Sequence, residues 1–83
     1  MQSIRSKHNE ALVVAFGSTA SALAFSSAAG QAGLEGRLFP VPRSLSAGCG
    51  IAWRDDPSRR DLAESVIVSE GIEDARIVVM DLA

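Results

Sequence analysis

The stretch Ala11-Leu12-Val13-Val14-Ala15-Phe16-Gly17-Ser18-Thr19 decides the fold class of this chain. From Ala11 to Phe16 every residue is apolar, and the run is bounded by Glu10 and Gly17. That is the pattern of a strand covered along most of its length, hence one central in its sheet. Ser18 or Thr19 then offers an N-cap hydroxyl, and Ala20, Leu23, Ala24, Ser27 and Ala28 recur at helical spacing. That face is small and weakly apolar, so the helix must pack close to whatever it covers. Gly33 is placed to end it, with Leu34 as the apolar residue behind a left-handed cap.

Downstream, Arg37 to Val41 reads as a second strand, and Pro40 assigns it to a sheet edge. Pro42 closes it, and Arg43-Ser44-Leu45-Ser46-Ala47-Gly48 forms a loop into Cys49. Gly50 to Arg54 is a third strand, with Cys49, Ile51 and Trp53 in phase on one face and Gly50 and Ala52 on the other. Asp55 and Asp56 before Pro57 make an acidic helix start with proline at the first position. Leu62, Val66 and Ser69 are expected on the buried face of this helix, flanked by Ala63 and Ile67. Gly71 stops it, with Ile72 in the role of Leu34, and Arg76 to Leu82 is a last, β-branched strand. The order strand, helix, strand, strand, helix, strand predicts an α+β domain. Its expected form is the ferredoxin-like βαββαβ pattern, a four-stranded antiparallel sheet with two helices on one face. Residues 1–10 read as a flexible tail and 11–83 as a single domain.

Composition narrows the function. An 83-residue chain with 47% hydrophobic and 22% charged residues is globular and has room for one core. The net charge is −2, and no basic run is interleaved with aromatics, so nucleic acid is not an expected partner. Arg5 and Lys7 ahead of Ala11–Phe16 imitate a secretory signal. Glu10 abuts the apolar run, however, and Gly17 ends it short of the roughly 7–15 residues such a signal uses. No stretch is long enough to span a bilayer, and no membrane partner is expected. One unpaired cysteine suits a reducing, cytoplasmic compartment and excludes an intramolecular disulfide. Metal ligands do not cluster, so neither metal nor cofactor is expected. His8 lies in the polar tail, remote from Ser44 and Ser46, which therefore lack a base for serine chemistry.

The topology gives Cys49 its interest. In the expected fold the end of the first strand, Phe16-Gly17, shares a sheet edge with Cys49-Gly50 and with the helix start at Ser18-Thr19. Unpaired N–H groups and the positive dipole end there favour an anion, and a thiolate gains from them. Arg43 can fold back to add positive charge, and Gly48 and Gly50 keep bulk away from the sulfur. The competing reading is structural. Free cysteine is among the most buried residue types, and Cys49 in phase with Ile51 and Trp53 can equally be the first core residue of its strand. Trp53 itself reads as core.

The run Arg37-Leu38-Phe39-Pro40-Val41-Pro42-Arg43-Ser44-Leu45-Ser46-Ala47-Gly48-Cys49-Gly50-Ile51-Ala52 resembles the central motif of the Se/S carrier protein-like family of short bacterial domains. The flanks agree: an apolar strand ending in Phe16-Gly17-Ser18-Thr19, a helix, then Gly33-Leu34. The most specific parts are Val41-Pro42-Arg43 and Cys49-Gly50. The resemblance implies a carrier of sulfur or selenium, held as a persulfide or selenosulfide on Cys49, with donor and acceptor proteins as partners. It carries Arg43, Ser44 and Gly50 along as motif neighbours, and Gly48, Ser18 and Thr19 complete the candidate site from the residue reading. Such a protein is a carrier rather than a turnover enzyme. Cys49-Gly50 opens a strand here, whereas better-understood sulfur carriers use a Cys-Pro pair opening a helix. The alternatives are a small-ligand-binding module, in which the loop of residues 42–48 grips an anion and Cys49 is merely packed, and a protein-interaction domain using the helix-free sheet face. The limited core also leaves room for a homo-oligomer.

Overall fold

The computed structural model describes residues 10–41 and 49–81. The elements are β1 (Glu10–Phe16), α1 (Thr19–Ala32), β2 (Arg37–Pro40), β3 (Ile51–Asp55), α2 (Arg60–Ser69) and β4 (Ala75–Asp81), with a 3₁₀ turn at Pro57–Arg59 leading into α2. The strands form one sheet in the order β2-β3-β1-β4, and every neighbouring pair is antiparallel. This is an α+β domain with a four-stranded antiparallel sheet and two helices. β1 is interior, and Pro40 sits on an edge strand, where its missing N–H breaks no ladder. β1 begins at Glu10, which the sequence places in the tail.

Alternation along β1 divides the interior in two. Leu12, Val14 and Phe16 join Ala22, Phe25 and Ala29 of α1, Ala63 and Val66 of α2, and Trp53 in the main core. Ala11 and Val13 point the other way and pack with Val41 and Ala52. Both helices therefore cover the same face of the sheet.

The buried face of α1 is not the expected one. Ala22, Phe25 and Ala29 are buried, whereas Ala20, Leu23, Ala24 and Ser27 are exposed and Ala28 is half-buried. Phe25 decides the rotation. Its ring lies 5.4 Å from those of both Phe16 and Trp53, tilted on the first and edge-on to the second. An aromatic side chain buries about 150–250 Å², more than the leucine and methyl groups of the alternative stripe recover. In α2, Ala63 and Val66 are buried with Leu62 and Ile67 beside them, but Ser69 is exposed rather than buried.

The helix ends follow the sequence closely. Ser18 Oγ accepts the N–H of Ser21, and Gly33 at φ 94° closes α1 with Leu34 N–H donating to Ala29 C=O at 3.0 Å. Asp56 caps the 3₁₀ turn, Pro57 occupies its first position, and Ile72 N–H donates to Ile67 C=O at 3.1 Å behind α2. Asp55 is a strand residue paired with Leu12, not part of the helix start. Its Oδ2 accepts from Trp53 Nε1 and Gly36 N–H, both at 3.2 Å, and its Oδ1 from Asp56 N–H at 2.8 Å. The carboxylate thus ties the indole to the backbone entering β2. Gly36 is irreplaceable in this arrangement, because a Cβ there would collide with the carbonyl oxygen of Arg54.

Candidate functional site

Cys49 stands at the end of the sheet from which α1 departs. β3 pairs with β1 as far as Ala15 opposite Ala52, and with β2 as far as Pro40 opposite Ile51. Beyond those pairs Val41 N–H donates to Gly50 C=O at 3.0 Å, and Cys49 follows immediately. Continuing the antiparallel count past Ala15 and Ala52 carries Cys49 towards Gly17 and Ser18. The ladder ends because Gly50 turns to φ 76°. Among the described residues other than its chain neighbours, no atom lies within 4 Å of the place a Cβ would take there, and the positive φ is itself a backbone need that glycine meets. β3 accordingly starts at Ile51, one residue later than the sequence suggests, and extends to Asp55.

Cys49 is half-buried. It packs against the main core with Ile51, and its S–H donates to the carbonyl of Ile51 at 3.2 Å. The thiol is thus anchored to the start of β3. Of the other candidate residues, Ser18 is the α1 cap, with its Oγ also donating to Ser21 Oγ at 3.1 Å, and Thr19 is exposed in the first turn. Arg43, Ser44 and Gly48 lie outside the described residues, as does His8.

The Glu73-Asp74 pair reads from the sequence as a solvated turn, and both residues are exposed in the connection before β4. What sequence reasoning missed is the link of that turn to the end of β1: Gly17 N–H donates to Asp74 C=O at 3.1 Å, and a Cβ on Gly17 would come within 3.0 Å of Asp74 Oδ2. Beside the first turn of α1 a shallow pocket of about 500 Å³ is lined by Ser21, Glu70, Glu73 and Asp74 among others. The positive end of α1 therefore faces carboxylates on that flank, which reduces what it can offer a sulfur anion. The signal was available in principle: β4 had to return beside β1, bringing the residue before it to Gly17. At the opposite end of the sheet, a groove of about 550 Å³ includes Glu10, Arg37, Phe39, Arg54 and Asp55 and does not involve Cys49. Among the described residues no cluster of three or more His, Cys, Asp or Glu can hold a metal ion. No helix among them is long and apolar enough to cross a membrane.

A small α+β domain that anchors a single thiol at the end of an antiparallel sheet, next to a serine-capped helix, is by class a one-cysteine domain with no second thiol to close a disulfide. Residues 11–79 match the model of the family described as "Putative Se/S carrier protein-like", and the chain belongs to that family. No curated protein and no solved structure matches it.

Proposed function

We propose that this protein carries sulfur or selenium on Cys49 between a donor and an acceptor protein. The observation that supports this reading most is that the family match, over residues 11–79, takes in part or all of every strand and includes Cys49, the chain's single thiol. The Cys49 thiolate attacks the outer atom of a donor persulfide, R–S–SH. The new S–S bond forms as the donor's S–S bond breaks, and its electron pair leaves on the donor thiolate. Delivery repeats the step in reverse sense: an acceptor nucleophile takes the outer sulfur and Cys49 leaves as thiolate. Neither half needs an external oxidant or a resolving cysteine, since the cargo arrives already at the sulfane level. A selenium atom on a donor thiol follows the same electron count. Ser18 and Thr19 at the α1 start and Arg43, Ser44, Gly48 and Gly50 around the cysteine are the groups we assign to holding the charged cargo.

We read the whole as a ferredoxin-like domain working in the reducing cytoplasm, where an unpaired thiol persists. The packing of Cys49 against the main core and its bond to Ile51 favour a second reading, a binding module with a structural cysteine. One experiment separates them. Incubation with a low-molecular-weight persulfide and intact-mass analysis are expected to show one added sulfur on the native protein, removable by an acceptor thiol and absent from Cys49→Ser. If the native thiol takes up no sulfur until the chain is unfolded, the carrier reading is wrong and the structural one stands.

A further inference from the structure

The two edges of the sheet are built differently. β2 is short, ends at Pro40 and is followed by Pro42, devices that blunt an edge against pairing. β4 has none of them. It runs without a bulge from Ala75 to Asp81, paired with β1 along its full length, and carries no proline and no charge between Arg76 and Asp81. Among the described residues no strand pairs with its outer side. Gly17 N–H bonds to Asp74 C=O, so the alternation of an antiparallel ladder turns the backbone groups of Asp74, Arg76, Val78 and Met80 inward to β1. Those of Ile77 and Val79 point outward. Among the described residues, Val79, 40% exposed, is one of three large exposed hydrophobic residues, and the other two, Leu23 and Val68, lie on helices.

We infer that β4 pairs antiparallel with β4 of a second copy of this chain, joining two sheets into one across a two-fold axis. The strand fits itself. Centred on Val78, the self-pair uses every residue of β4, setting Ile77 opposite Val79 of the second copy and Arg76 opposite its Met80. Outward backbone groups then meet outward backbone groups, and the exposed Val79 is covered by an apolar neighbour on the helix-bearing face. The charge of Arg76 sets the direction: an antiparallel approach places it opposite the uncharged Met80 of the second copy, whereas a parallel, in-register one sets Arg76 beside Arg76. β1 lies between β4 and β3, the strand that Cys49 leads into, so the inference stands independently of the carrier reading.

Sedimentation of the full chain from about 1 µM to about 1 mM covers the range in which so small an interface dissociates. A monomer–dimer equilibrium is expected, with Val79→Lys shifting it at least tenfold towards monomer and Leu23→Lys leaving it unchanged. Amide exchange of Ile77 and Val79 in the natural sequence is expected to slow as concentration rises, which decides the matter even if Val79→Lys fails to fold. A monomer at every concentration overturns the inference and leaves the edge to a strand of a different protein. A dimer indifferent to Val79→Lys, with fast exchange at Ile77 and Val79, overturns it as well.

Discussion

Gly50 and Cys49 test the site one residue at a time. Gly50 sits at φ 76°, and among the described residues beyond its chain neighbours nothing lies within 4 Å of its absent Cβ, so Gly50→Ala should cost the left-handed backbone penalty, about 1–2 kcal/mol. Gly50→Asn, tolerated better in that region, should recover part of the loss. Urea unfolding of the three proteins checks this, and an alanine variant as stable as the parent would show that the turn is not held at positive φ. Cys49→Ser keeps a donor for Ile51 C=O at a half-buried residue, so it should change stability by less than about 1 kcal/mol. A much larger loss in the same titration would mark Cys49 as a core residue and weaken the carrier reading. At this scale the sequence placed Cys49 at the entrance to a strand but did not show its posture there. The apolar phase Cys49-Ile51-Trp53 was legible, whereas the local bond from Sγ to Ile51 depends on the rotamer and the turn at Gly50, and the carboxylate of Asp74 beside Gly17 depends on long-range pairing that no local pattern encodes.

Among the elements, α1 carries the clearest lesson. Both of its ends were legible because caps are local chemistry, a serine hydroxyl on the first turn and a glycine at the last. Its buried face was not, because an alanine-rich helix offers several stripes of similar polarity and only the meeting of Phe25 with Phe16 and Trp53 selects one. Phe25→Ala should therefore cost about 3–5 kcal/mol, as aromatic truncations in a packed core do, whereas Leu23→Ala, at 57% exposure, should fall within about 0.5 kcal/mol of the parent. Denaturant midpoints of the pair decide between the two faces, and the reverse ranking would restore the face read from sequence. At the start of the second helical segment, Asp56 accepts from Ser58 N–H at 2.9 Å. Asp56→Ala removes that cap and should destabilise by about 1 kcal/mol. The places of two strands were legible for a different reason. β1 is apolar on both faces, so it had to lie inside, and proline in β2 had to lie at an edge.

At the scale of the whole molecule, the contacts cross the layers so densely that no element has an independent core. Trp53 alone touches the chain in three ways: its ring against Phe25 of α1, its place opposite Leu38 of β2 and Val14 of β1, and its Nε1–H on Asp55. It is also the only tryptophan, so its fluorescence reports the sheet and the helix layer together. Unfolding followed by Trp53 emission and by far-ultraviolet circular dichroism should therefore give one midpoint, the behaviour of a small cooperative domain. Should self-pairing through β4 occur, that common midpoint should rise with protein concentration, because dimerisation stabilises only the folded chain. Two separated transitions, with the emission change first, would mean that β2 and the Asp55 clasp open before the β1–β4 ladder. The sheet end bearing Cys49 would then be a locally labile unit, and sulfur uptake would have to be measured against that opening rather than against the folded state alone.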